Sequence, residues 1–156
     1  MDGLWADVYS TVRAEFADIP NVKEVTRVLV RLTMAAVLGG LIGYERESAG
    51  KAAGLRTHML VSLGSALFVL VPLQAGIKVE DLSRVLQGIA SGIGFLGAGA
   101  ILKLNSEESI KGLTTAAGIW MVAAIGVSAG MGRESTAVIA TIFALVILTV
   151  LQRLSK

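Results

Sequence analysis

Five apolar stretches recur from residue 28 onward, separated by short charged clusters. They run over residues 28–44, 59–77, 85–102, 112–131 and 135–151, and only the first contains a charge, Arg31, near its start. Each has 17 to 20 residues. At the rise of an α-helix, that length matches the roughly 30 Å of hydrocarbon in a bilayer. The pattern predicts an all-α polytopic membrane bundle of about five transmembrane helices. Ahead of it, Leu4, Val8 and Val12 recur every fourth residue, with Trp5, Phe16 and Ile19 widening the same face and Pro20 ending the run. Residues 1–20 therefore read as an N-terminal amphipathic helix, lying along the bilayer surface or capping the bundle. The alternative is a loosely packed extension in water. The transmembrane domain occupies residues 28–151.

Composition agrees with this partition. The chain of 156 residues is 54% hydrophobic and 17% charged, too little polar surface to coat a soluble bundle of five buried helices. It has no cysteine, which excludes disulfides and thiol chemistry. Asp2, Asp7, Glu15 and Asp18 break what a signal peptide would keep positive and then apolar. The sequence pI of about 9.2 arises from Lys and Arg bracketing the helices, without the aromatic-interleaved basic stripe of a nucleic-acid binder. Those brackets carry equal numbers of basic residues on the two sides. Discounting the remote Arg13 leans toward an N-terminus outside.

Glycines inside the apolar blocks point to close helix packing, since in lipid they let backbones approach. Gly39, Gly43, Gly88, Gly92, Gly94, Gly97 and Gly99 are the candidates, with Gly88 and Gly92 one turn apart. Trp120 falls near mid-helix, away from an interfacial belt, and reads as an interhelical packing residue. Pro72 either kinks the second helix or sits in its last, frayed turn. Arg31 can snorkel to an interface.

Sliding the sequence by 58 residues lays Leu38-Gly39 on Leu96-Gly97, Gly54-Leu55 on Gly112-Leu113, and Thr57 on Thr115. The offset raises a parallel two-hairpin repeat, with chance similarity as its rival. Either way, five crossings place the loops at 45–58 and 103–111 on one side of the membrane. They gather Glu45, Arg46, Glu47, Arg56, Thr57 and His58 toward Asn105, Lys111, Thr114 and Thr115, the densest polar constellation the chain can form.

Carboxylates at such a boundary suit a hard cation such as Mg²⁺, and Glu45 is the residue to assign as its ligand. Pairing of Glu45 with Arg56 is the favoured alternative, because it removes two unpaired charges from low dielectric. The threonines suit helix caps. His58, the only histidine, suits a hydrogen-bonded interface or a proton-sensitive group better than a zinc site. No nucleophile elbow, phosphate loop or HExxH appears, so an enzyme is not expected, nor any resident cofactor beyond Mg²⁺. The expected partners are membrane lipids, a second copy of the chain in a homo-oligomer such as a dimer, and another membrane protein, but no nucleic acid.

Gly43-Tyr44-Glu45-Arg46-Glu47, followed by Ala53-Gly54-Leu55-Arg56-Thr57-His58, resembles the first hallmark of the MgtC/SapB family. The run from Gly92 to Gly99 and the segment from Lys111 to Trp120 resemble the second and third, and with residues 123–126 the likeness covers about residues 29–151. The resemblance implies a multi-pass protein of the bacterial inner membrane, with the Glu-Arg-Glu loop and the C-terminus cytoplasmic. It further implies a role in magnesium homeostasis and in acid and low-magnesium adaptation. Mg²⁺ transport is one version of that role. Restraint of a partner such as the proton-translocating ATP synthase is the other. Lys111 departs from the Arg common before Gly-Leu-Thr-Thr, and the sequence ends at Lys156 without the soluble C-terminal domain of longer members.

Overall fold

In the computed structural model, described here for residues 2–17, 21–102 and 112–151, every regular element is helical. The chain falls into two compact units, divided between Val30 and Arg31. In the first, α1 spans Asp2–Glu15, shorter than the sequence pattern suggested, and its apolar residues Leu4, Trp5, Val8 and Val12 are all exposed. The start of α2 (Val22–Ser48) belongs to the same unit. Asn21 is its cap: the Asn21 Oδ1 accepts from the Glu24 N–H at 2.9 Å, satisfying one of the orphan donors of the first turn.

The second unit contains the rest of α2, α3 (Leu55–Gln74), a 3₁₀ turn (Val79–Leu82), α4 (Ser83–Leu102), α5 (Leu113–Gly130) and α6 (Glu134–Val146), which runs on into a π-helical turn at Ile147–Leu151. Four helical stretches are long and apolar enough to cross a bilayer: Val22–Ser48, Leu55–Gln74, Val79–Ile101 and Leu113–Gly130. The fifth, Glu134–Val150, is apolar but shorter. Pro72 sits in the last turn of α3, where the Gly76 and Ile77 N–H groups bond back to the Leu73 and Pro72 carbonyls. Proline is tolerated there because the helix is already ending.

Glycine contacts set the directions. A methyl group added at Gly39 would stand 2.7 Å from Ser62 Cβ, and one at Gly43 would stand 2.8 Å from Leu55 Cα. Rising positions on α2 thus meet falling positions on α3, and the two form an antiparallel hairpin. Gly97, near the end of α4, lies against Ala116, near the start of α5, giving a second hairpin of the same sense. Between the hairpins, His58, Ser62 and Ala66 of α3 lie against Gly118, Gly126 and Gly130 of α5, in rising order on both. So α3 and α5 run parallel.

The 58-residue offset has a physical counterpart. Gly39 meets His58 and Gly97 meets Ala116, the same pair of positions in each hairpin, and both α3 and α5 begin at the Leu of a Gly-Leu pair. The core gathers Ala35, Leu38 and Ile42 of α2 around Ala66 of α3, Val122, Ile125 and Ala129 of α5, and Ala137 and Ala144 of α6. The uncharged α5 is the most enclosed of the long helices, and α4 the least.

Several packing expectations need correction. Gly88, Gly92, Gly94 and Gly99 face open space, with nothing within 4 Å of an added methyl. Within the chain, Gly97 is the α4 glycine that lies against a neighbour, Ala116 of α5. The close approaches are made instead by Gly39 and Gly43 on α2 and by Gly126 and Gly130 on α5, where an added methyl would run into the Ser62 and Ala66 carbonyl oxygens. Trp120 is 54% exposed and lies along a groove beside Leu86, Ile89 and Ile93 of α4, rather than wedged between helices.

Candidate functional site

The end of the bundle where α2 gives way to α3 and where α5 begins carries the buried Arg46, His58 and Thr115. Its centre is Arg46, 1% exposed. Arg46 Nη2 donates to Glu45 Oε1 at 2.6 Å and its Nε donates to Glu45 Oε2, so both carboxylate oxygens are held by one guanidinium. Such two-pronged pairing is the strong form of the interaction. It also meets the condition for placing a charge in low dielectric, that the charge be both paired and hydrogen-bonded.

This replaces the expected Glu45–Arg56 pair. Arg56 begins the exposed side of α3 and pairs with no carboxylate among the described residues. Helix phase decides between the two arginines: Arg46 falls on the inward face of α2 with Leu38, Gly39, Ile42 and Gly43, whereas Arg56 falls outside. Glu45 is thereby occupied. Both of its oxygens already accept from Arg46, and the described residues contain no group of three or more His, Asp or Glu able to hold a metal.

Glu47 acts locally. Its Oε2 accepts from the Leu55 N–H at 2.8 Å, capping α3 from eight residues upstream and placing a negative charge at the positive end of that helix. The carboxylate lies against Gly54, where a side chain would collide with it. The threonines do not serve as caps. Gly54 and Gly112 hold the cap positions of α3 and α5, neither with a side-chain bond, while Thr57 and Thr114 are exposed and Thr115 is buried.

His58 is fully buried on α3. Its Nδ1 lies 2.9 Å from the Gly54 carbonyl, while its Nε2 has no hydrogen-bond partner. Ser62 Oγ, one turn further along the same face, also lacks one. Nothing in the sequence marked Ser62, since a serine in an apolar block is ordinary; its four-residue spacing from the lone histidine was the available signal. Asn105 and Lys111 lie outside the described residues. The structure therefore brings together Glu45, Arg46, His58 and Gly118, leaves Arg56, Thr57 and Thr114 at the surface, and assigns Glu47 to a helix start.

Arg31, read from sequence as a snorkelling residue, has a defined partner at the opposite end of the bundle. Its Nη1 donates to the Gly130 carbonyl at 3.0 Å. A cation at the last carbonyls of a helix opposes the negative end of its dipole.

Comparison with known proteins gives this geometry its context. The chain is 44% identical over 137 residues to Protein SrpB of Synechococcus elongatus, covering 81% of this chain and 75% of the relative. It is 42% identical over 134 residues to the Putative magnesium transporter YhiD of Escherichia coli K12, covering 81% and 61%. With Protein MgtC of Brucella abortus it shares 45% identity over 125 residues, covering 79% and 50%. The chain thus spans about three fifths of YhiD and half of MgtC. No solved structure matches it. The MgtC family pattern matches residues 32–156, four fifths of the sequence, and the chain belongs to the MgtC family.

Proposed function

We propose that this chain is a non-enzymatic, multi-pass protein of the bacterial inner membrane that serves magnesium homeostasis, including adaptation to acid and to low magnesium. The observation that carries this reading is the Glu45–Arg46 pair, a buried charged group at one end of an apolar bundle, in a family with a relative called a putative magnesium transporter. Ionisable residues held within a membrane bundle mark functional sites by default, because their desolvation is expensive.

Two mechanisms fit. In the first, the chain moves Mg²⁺, and a protein this small would do so as a homo-oligomer, a dimer at least. In the second, it binds and restrains another membrane complex, such as the proton-translocating ATP synthase, and moves nothing. The occupied carboxylate favours the second. Mg²⁺ takes oxygen ligands and sheds water reluctantly, so a carboxylate already held in two places by Arg46 is a poor first ligand.

Reconstitution into liposomes separates the two mechanisms. Mg²⁺ flux above that of empty vesicles, abolished by Glu45→Gln, supports transport; no flux, with stable recovery of a membrane partner that Arg46→Ala loses, supports regulation. Growth of a strain lacking the chain under magnesium limitation tests the shared claim, and undiminished growth contradicts it.

A further inference from the structure

Every described side chain from Gly3 to Ala17 is exposed. Within that run, α1 and the turn that follows it carry six large apolar residues: Leu4, Trp5, Val8, Tyr9, Val12 and Phe16, each between 45% and 83% exposed. At about 100° per residue they fall in the order Leu4, Val8, Val12, Trp5, Phe16 and Tyr9, over about 140° of the helix circumference. Asp7, Ser10 and Arg13 take the opposite side, and Glu15 comes at the Leu4 edge in the last turn. The Ser10 and Thr11 hydroxyls both donate to the Asp7 carbonyl, at 3.0 and 2.7 Å, so those groups are satisfied within the helix. The result is one wide apolar face, open along its whole length.

Covalent continuity names what covers it. Four residues separate Ala17 from Val22, where α2 starts, and the apolar stretch of α2 opens at Val28. Five fully extended steps reach at most about 18 Å. The six helical residues up to Val28 add about 9 Å. Ala17 is thus tethered within about 27 Å of the hydrocarbon edge, which keeps the effective concentration of the bilayer surface around α1 high. The side chains suit that surface. Trp and Tyr rings favour the headgroup level, and Leu and Val beside them suit the acyl boundary beneath it. Charge then selects the lipid. Along α1, Asp2, Asp7 and Glu15 are acidic and Arg13 alone is basic, a side-chain net of −2. An anionic surface repels such a helix, so its attraction to a membrane comes from apolar area.

We propose that α1 is an interfacial anchor whose face from Leu4 round to Tyr9 lies in the headgroup region of a zwitterionic bilayer, held by apolar burial and not by charge. An interfacial anchor just ahead of a span helps set the tilt and rotation of that span, here α2 with its buried Arg46. The anchor serves either mechanism above.

The test uses the full chain reconstituted in phosphatidylcholine nanodiscs, with Trp120→Phe leaving Trp5 as the single tryptophan. Trp5 fluorescence should be blue-shifted, quenched by lipids brominated near the headgroup end of the acyl chain, and shielded from aqueous acrylamide. Adding Val8→Asp and Val12→Asp should release the face: acrylamide quenching rises several-fold and lipid quenching is lost. Melting of the bundle should stay unchanged, because both valines are exposed. Exchanging part of the lipid for phosphatidylglycerol should leave or lessen the lipid quenching, and salt should not abolish it. Strong acrylamide quenching before the aspartates are added, as for an extension in water, overturns the proposal. Shielding from both quenchers, as for a face covered by protein, overturns it too. So does lipid quenching that requires the anionic lipid, or that survives the two aspartates.

Discussion

Arg31 Nη1 donates to the carbonyl of Gly130 at 3.0 Å, fastening α2 to the end of α5 across 99 residues of sequence. The bond lies at the end of the bundle opposite the Glu45–Arg46 pair. Arg31 is only partly buried, which limits the contribution of its charge. Arg31→Leu should cost about 1–2 kcal/mol of stability, as expected for a charge-assisted bond to a helix end. Gly132 should be sensitive for a related reason: it has φ +75°, and a methyl there would strike the Arg31 guanidinium. Gly132→Ala should therefore also destabilise, by at least about 1 kcal/mol. Thermal and denaturant unfolding in detergent measure both.

Glycine substitutions should divide sharply by position. Gly126→Ala and Gly130→Ala place a methyl against carbonyl oxygens of α3, and backbone cannot turn aside as a side chain can. Each should cost about 3 kcal/mol or more, the upper range for overpacking. Gly88→Ala and Gly92→Ala meet open space and should be neutral or slightly stabilising through helix propensity. Folded yield by size-exclusion chromatography, followed by melting of the survivors, reads the contrast.

The two arginines near the Glu45 carboxylate should behave very differently. Arg46→Ala leaves a carboxylate without its buried partner and should cost about 3–5 kcal/mol, the range for breaking a buried pair from one side. Arg56→Ala removes an exposed charge and should stay within about 0.5 kcal/mol of wild type. Equal losses in the two variants would contradict the assignment of Arg46 as the partner of Glu45.

Glu47 should matter to the start of α3 rather than to cation binding. Glu47→Ala removes the acceptor for the Leu55 N–H and should cost about 1 kcal/mol, as lost caps do. Amide exchange at Leu55 should speed up in this variant while exchange at the centre of α3 is little changed.

How much of this was legible in the sequence depends on which physical rule was at work. Hydropathy located the helices well, because an apolar run long enough to cross lipid has few other uses. Its second stretch begins at residue 59, one turn inside α3, whose first turn carries Arg56 and His58. It undersized α2, whose first turns carry charges that hide a helix from a hydropathy count. Glycine density misled. The glycine-rich run of α4 drew attention, yet the close approaches are made by Gly39 with Gly43 and by Gly126 with Gly130. Gly88 and Gly92 share that four-residue spacing and face open space, so neither abundance nor spacing told which glycines meet a neighbour; that depends on the face each helix turns to the bundle.

The site was legible in composition but not in rotation. Charge clustering singled out Glu45, Arg46, Glu47, Arg56 and His58, but whether an arginine points in or out depends on helix phase relative to neighbours not yet placed. One step along α2 separates Glu45 from the buried Arg46. Arg56 sits two residues before the buried His58 on α3, which puts it on the opposite side of that helix. The Arg31–Gly130 bond spans nearly two thirds of the chain, beyond the reach of any local pattern.

Everything above requires the α2–α3 and α4–α5 hairpins to close at the same face of the membrane, as the parallel packing of α3 on α5 demands. The chain contains no cysteine, so a single introduced thiol reports one position without background. Ser48→Cys at the end of α2 and Thr114→Cys at the start of α5 are both exposed positions. Labelling intact cells and inverted vesicles with a membrane-impermeant maleimide should modify both from one compartment, and Met131→Cys, beyond the far end of α5, from the other. Modification of Ser48→Cys and Thr114→Cys from opposite compartments would contradict the architecture and with it the site.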